Sequence, residues 1–329
     1  MYDIRRHLLV SWVFLCLLAG TNLAVEPGGD EFQTEGGWLF DRPGLFPEGR
    51  ADRPQPETLV EEEAPKRVKP LPLSFSIDYT IASDYVFRGI NFSEYAGEGR
   101  EKINHQLGLN LEIDTGQMGR NLGIFGFSYW GDWYTDEKNL NPTSSHNLHE
   151  SDYIIYWNYQ IPELLLNLQT GWVAITLPQL GTDAYYTNEW YIVLGLNDGP
   201  LFGSKEPILK PYVAYFLDTD DHDGGWLEWG ISHDFALGNM GLGDTPVLKD
   251  VTVKPSLVMG IDGGQLGESW RVAHMKYGLD VVYDLSGALE IPEEYGNISI
   301  TGFVYFSDAI FDEVLNDEFW GGVTFCYAW

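Results

Sequence analysis

Polar and apolar residues alternate over short stretches through most of the chain, beginning near Leu73. Between Ile103 and Asp114 the pattern is clean. Ile103, Leu107, Leu109, Leu111 and Ile113 share one phase, and Asn104, Gln106, Gly108, Asn110, Glu112 and Asp114 the other. Successive side chains on a strand point to opposite faces, so such a segment is a ribbon with one oily and one wet side. Leu227, Trp229, Ile231 and Phe235 oppose Glu228, Gly230, Ser232 and Asp234 in the same way, and Tyr277, Leu279, Val281 and Tyr283 oppose Lys276, Gly278, Asp280 and Asp284. The pattern predicts strands near 74–90, 103–114, 121–134, 151–160, 164–175, 185–196, 208–218, 225–236, 250–262, 271–285, 297–306 and 319–329. Clusters of Gly, Pro, Asn and Asp punctuate them as turns.

Beyond the first two dozen residues no stretch holds 18 consecutive apolar positions, so a membrane crossing requires strands closed into a barrel, where every backbone group finds a partner. The count is even, as in single-chain bacterial barrels, and returns both chain ends to one side. The predicted fold is all-β: an antiparallel up-and-down transmembrane β-barrel of about 12 strands, spanning 73–329.

The N-terminus reads as a secretory signal peptide over 1–24. Arg5 and Arg6 precede an apolar run from Leu8 to Ala19, and the small or polar Gly20, Thr21, Asn22 and Ala24 follow. The run is shorter than the roughly 20 residues a spanning helix needs. Thr21 stands where a lipidated cysteine would be required. Residues 25–72, rich in proline and including Glu61, Glu62 and Glu63, lack either period and read as a disordered periplasmic tether. With that tether in the periplasm, the connections at 91–102, 135–150, 218–225 and 307–318 face outward.

Composition sharpens this picture. Aromatic residues make up 15% of the chain, with 12 Trp and 19 Tyr beside 37 Gly, as strands, tight turns and interfacial girdles use. The formal net charge is -30, which argues against nucleic-acid phosphates as partners. The expected partners are outer-membrane lipid and lipopolysaccharide. Of the two cysteines, Cys16 leaves with the signal peptide, so Cys326 alone supports neither an intrachain disulfide nor a multi-cysteine metal site. At the C-terminus, Val323, Phe325, Tyr327 and Trp329 alternate with Gly322, Thr324, Cys326 and Ala328. This segment is similar to the terminal strand recognised by the barrel-assembly machinery of Gram-negative bacteria.

The run Ser83-Asp84-Tyr85-Val86-Phe87-Arg88-Gly89-Ile90 resembles the S-D-Y-x-F-R-G first-strand motif of a largely uncharacterised Gram-negative outer-membrane β-barrel family (Gcw_chp or TorF-like). The resemblance implies a barrel from about Ser74 to Trp329 and prescribes no activity.

In the phase that turns Phe75, Ile77, Tyr79 and Ile81 to lipid, Tyr85 and Phe87 also face out. They are expected in an aromatic girdle with Phe325, Tyr327 and Trp329. Asp78, Asp84, Arg88, Glu112, Asp114, Glu189, Glu228, Asp234, Asp280 and Asp284 then line the lumen, where acids outnumber bases. Asp84 and Arg88 are about 13 Å apart on a strand rising about 3.3 Å per residue, so Arg88 needs a carboxylate from a neighbouring strand. It reads as a buried ion-pair clamp fixing register, with a solute-selecting constriction as the alternative.

No catalytic or metal residues are expected. Ser232 and His233 are adjacent and lie on opposite faces, and His105 has no nucleophile identifiable from sequence. No G-x-S-x-G, H-E-x-x-H or P-loop pattern is present. Asp218, Asp220, Asp221, His222 and Asp223 do not match an EF-hand and read as a solvated acidic turn. His146 and His149 read as ordinary residues of the loop 135–150. The chain is therefore expected to be a narrow porin-like channel for small solutes, not an enzyme, and without a cofactor. A plugged structural or interaction barrel is the alternative, and a lipid-modifying enzyme the more distant one.

Overall fold

The computed structural model describes residues 72–93, 103–119, 121–135, 148–177, 186–204, 206–220, 224–241, 245, 247–266, 270–312 and 314–329. Of the signal peptide and tether expected over 1–72, all but Pro72 lies outside the described residues.

Fifteen strands are described. They are β1 (Leu73–Ala82), β2 (Val86–Phe87), β3 (Ile90–Asn91), β4 (Asn104–Asp114), β5 (Ile124–Tyr134), β6 (Leu148–Ile161), β7 (Leu166–Thr176), β8 (Tyr186–Leu196), β9 (Tyr212–Asp218), β10 (Gly225–Ser232), β11 (Phe235–Ala236), β12 (Val251–Gly263), β13 (Arg271–Asp284), β14 (Asn297–Ala309) and β15 (Glu318–Ala328). Twelve form the wall, each antiparallel to its chain neighbour. The sheet closes because β1 pairs with both β4 and β15, while β10 pairs with both β9 and β12. The short β11 extends the β10 side of β12. The protein is a closed, twelve-stranded, up-and-down antiparallel barrel, and closure leaves its wall no open edge.

The predicted alternation sets the faces. Ser76, Asp78 and Thr80 are buried in the interior, while their strand neighbours Ile77 and Ile81 lie on the outer surface, 41% and 37% exposed. The same phase runs round the wall: Leu111, Phe127, Ile155, Leu194, Trp229, Val281, Val304 and Phe325 all face outward and exposed. An apolar belt this extensive is unsustainable in water and suits acyl chains. Near the end of the barrel where β1 begins and β15 ends, Phe75 packs against Tyr327 and Trp329. Tyr327 Oη donates to Tyr295 O, and Trp329 Nε1 to Glu294 O, so the ring bodies stay on the apolar surface while their polar tips are satisfied. At the opposite rim His105 stacks on Trp133, 5.8 Å between centroids, and bonds the hydroxyls of Tyr79 and Thr135 at 2.9 and 2.6 Å.

One expected strand is corrected. The segment 74–90 does not run straight: β1 ends at Ala82, and the chain turns into the barrel. Ser83 anchors the departure on β15, its N–H donating to Gly321 O at 2.9 Å while Gly321 N–H donates to Ser83 Oγ at 3.2 Å. Tyr85 and Phe87 therefore do not join the outer girdle. Tyr85 is 1% exposed within the barrel, and Phe87 packs against the interior apolar cluster. Continuing the outward phase past Ser83 failed because phase is kept only while the strand stays in the wall.

Candidate functional site

The inward segment is a hairpin, β2 against β3, with Phe87 opposite Ile90. Its two tip residues, Arg88 and Gly89, have φ of 52° and 80°. A two-residue hairpin of the primed type needs positive φ at both central positions. Gly89 meets that without steric cost. A Cβ there would also lie 3.2 Å from the ring of His274 on β13 and from Leu315, so the absent side chain lets the tip seat deeply. The hairpin root is stitched by Phe92 N–H to Tyr85 O (2.9 Å), Tyr85 N–H to Ser93 Oγ (2.7 Å) and Asn91 Nδ2 to Glu318 Oε2 on β15 (3.0 Å).

The tip crosses the lumen to the far wall. Arg88 grips Glu189 of β8 in a bidentate pair, Nη1 to Oε1 at 2.5 Å and Nη2 to Oε2 at 2.8 Å. Gln265 completes the latch by accepting from Arg88 Nη1 at 2.8 Å and donating to Glu189 Oε1 at 3.1 Å. Asp262 holds the Gln265 turn in place, accepting at Oδ1 from the backbone N–H groups of Gly264, Gln265 and Leu266. The guanidinium is flanked by the rings of Phe87, Phe216 and Trp226, 4.7, 4.9 and 5.4 Å to their centroids. Trp226 Nε1 donates to Glu228 Oε1 at 2.9 Å. A charge removed from water is tolerated here because its partner is bidentate and aromatic faces cover its planes.

Around this latch aromatic and aliphatic side chains pack among buried polar groups, Asp132, Glu150, Asp152, Asp262, His274 and Lys276 among them. Tyr85, Trp130, Tyr134, Ile154, Val173, Tyr191, Phe216, Trp226 and Leu315 form a buried cluster, and Tyr85 lies 5.2 Å from Trp130 between ring centroids. Towards the end where β1 begins and β15 ends the polar groups are less enclosed. Glu112, Asp114, Lys254, Asp280 and Asp284 are only partly buried there. Tyr156 lies across the inward face of Gly126, where any Cβ would overlap its ring, and its hydroxyl donates to Glu112 Oε1 at 2.6 Å. Tyr305 Oη donates to Asp280 Oδ1 at 2.7 Å.

The expected lumen residues therefore divide. Arg88, Glu189 and Glu228 gather at the latch. Asp84, also buried, stays at the hairpin root, where Asn91 Nδ2 lies 3.5 Å from its Oδ1. Asp78 is buried on β1. Asp234 sits at the mouth where β1 begins, accepting from Lys210 Nζ at 2.7 Å with Lys254 Nζ at 3.9 Å. Asp284 accepts from Gly287 N–H and caps the helical turn Leu285–Ala288. Arg88 is a buried ion-pair clamp, but it joins the hairpin to a strand across the lumen and does not set the register of neighbours. The clamp's other members, Gln265, Phe216 and Trp226, were not picked out from sequence, because each lies in a different segment and only barrel closure brings them together.

His149 is a second correction. It lies in β6 and is buried, not placed in a loop. A bulge opposite Asp132 and Trp133, where Trp133 pairs with Leu148 and Asp132 with Glu150, inserts His149 as an extra residue and turns it inward beside Asp132. Its companion His146, and Asp221, His222 and Asp223 of the acidic turn, lie outside the described residues. Of that acidic turn, Asp218 is buried, accepting from Thr187 Oγ1 at 2.7 Å and from Asp220 N–H at 2.9 Å.

A closed barrel with an apolar exterior and a polar, partly filled interior defines an integral membrane β-barrel. No family model matches the chain, and no curated protein matches it. Among solved structures it is similar to the KdgM porin, with 12% identity over 77% of this chain and 98% of that one at a TM-score of 0.40. It is also similar to the NanC porin, with 8% identity over 77% and 98% at 0.41, and to outer membrane phospholipase A from Escherichia coli, with 13% identity over 77% and 92% at 0.38.

Proposed function

We propose that the protein is a bacterial outer-membrane channel for small solutes, held closed or nearly so by the inward hairpin. The carrying observation is the latch itself: a hairpin crossing the lumen and fastened at its tip by one bidentate pair and Gln265. A few charge-assisted hydrogen bonds at the end of a hairpin form a two-state element, since release of Arg88 frees the tip without breaking any wall pairing. The apolar belt supports insertion in lipid and contact with lipopolysaccharide, and the alternating β15 supports delivery by the barrel-assembly machinery. Carboxylates outnumber bases along the wet half, so cations are favoured over anions.

Planar-bilayer recording on folded protein tests this. The native chain should show small or rare conductance steps, and Arg88→Ala or replacement of the hairpin tip should enlarge them with a mild cation preference. A folded, silent barrel in both forms would instead support the plugged, structural reading, which the apolar cluster inside the lumen favours.

A further inference from the structure

We propose that Asp132, His149 and Glu150 form a zinc site at the rim where β5 ends and β6 begins. One ligand atom from each lies within 4.8 Å of the others, and all three residues are buried, with exposures of 0%, 7% and 3%. His149 Nδ1 is 3.5 Å from Asp132 Oδ1. Regular alternation would send His149 and Glu150 to opposite faces. The bulge at Asp132/Trp133 overrides that and aims both consecutive side chains inward, the recurrent use of a bulge to redirect a functional residue.

The donor set points to the metal class. Two carboxylates with one imidazole suit zinc, whereas a site for calcium or magnesium would be built from oxygens alone. Three protein ligands and a water complete a tetrahedron, with bonds of about 2.0–2.2 Å that small side-chain rotations supply. A supporting shell is already present. Asn104 Nδ2 donates to Asp132 Oδ2 at 2.8 Å, Gln106 Nε2 donates to Asn104 Oδ1 at 2.8 Å, and Glu150 N–H donates to Asp132 Oδ1 at 2.8 Å. These bonds orient the Asp132 carboxylate and leave each oxygen a lone pair for a metal. His149 also packs beside Phe92, which stacks on Tyr85 of the luminal hairpin. A bound ion thus braces the foot of the hairpin, although the site does not depend on whether the barrel conducts.

The test is zinc titration into untagged, chelator-treated, detergent-solubilised full-length protein by calorimetry, with calcium and magnesium alongside. One zinc should bind per chain in preference to either of the others, and should raise the temperature of thermal unfolding. His149→Ala should abolish that binding event. Glu150→Gln, nearly isosteric, should weaken it at least tenfold, and Asn104→Ala by about 10- to 100-fold, the usual effect of removing an outer-shell partner. Heat-modifiable gel migration identifies which variants remain folded, so Glu150→Gln decides the matter if His149→Ala does not fold. No zinc uptake would mean a His149–Asp132 ion pair only and would overturn the site. Uptake unchanged in the folded variants, or equal affinity for calcium, would also overturn it.

Discussion

The two halves of the barrel are built from the same alternating strands but are filled to different degrees. Towards the end where β1 begins and β15 ends the interior carries half-buried polar groups such as Glu112, Asp114, Lys254 and Asp280. Towards the other rim it carries a packed aromatic cluster with a hairpin driven through it. The outer surface does not record this difference, because lipid demands apolar residues at both levels. What fills a lumen is therefore set by the inward phase and by segments that leave the wall: both halves are polar inside, and the hairpin encloses the polar groups of one.

The largest expected effect comes from breaking the latch on one side. Glu189→Ala leaves the Arg88 guanidinium buried without its carboxylate, and should destabilise the packed half by about 3–5 kcal/mol. The double variant Arg88→Met/Glu189→Leu removes both charges and should lose much less. Denaturant unfolding in detergent, arranged as a double-mutant cycle, measures the coupling. A single-variant cost no larger than that of the double would show that the two groups do not depend on each other, and would erase the energetic distinction between the two halves.

A smaller effect follows at the hairpin tip. Gly89→Ala places a Cβ against His274 and Leu315 in a backbone region that costs an L-residue about 1–2 kcal/mol. The variant should fold with its wall intact and a loosened hairpin, seen as faster proteolysis or hydrogen exchange of 85–92 with unchanged exchange in β12–β14. Equal loosening throughout would mean that hairpin and wall form one cooperative unit.

The wall was legible from the sequence almost strand by strand, because lipid outside and side-chain crowding inside leave little freedom in phase. The predicted 103–114 and 271–285 correspond to Asn104–Asp114 and Arg271–Asp284. The hairpin was not legible. Tyr85 and Phe87 keep the parity of Ile77 and Ile81, so alternation alone carries the strand past its end. The local signals were Ser83-Asp84 and Arg88-Gly89, which are turn-compatible pairs, but Arg-Gly lacks the strength of Asn-Gly as a hairpin mark. Glu189 was placed in the lumen from its phase, yet its pairing with Arg88 depends on a contact across the barrel. His149 escaped because a one-residue bulge has no composition of its own.

The smallest effect belongs to the wet half. Burial alone would raise the pKa of Asp234, but Lys254 and Lys210 outweigh it and hold the carboxyl below its usual value. A depressed folded-state pKa means that the group stabilises the fold above the unfolded carboxylate value of about 3.9, and that this contribution disappears as pH falls through the lower folded value. The side chain is 26% exposed, so solvent screens part of the attraction, and Asp234→Asn should cost no more than about 1 kcal/mol at neutral pH. Measured at pH 7 and again at strongly acidic pH, the difference between native and variant should shrink towards zero in acid. The Arg88–Glu189 latch, enclosed by aromatic rings, should be far less sensitive to added salt than this mouth pair. If salt weakened both equally, the latch would be as wet as the mouth, and the contrast between the halves would be one of composition and not of solvent access.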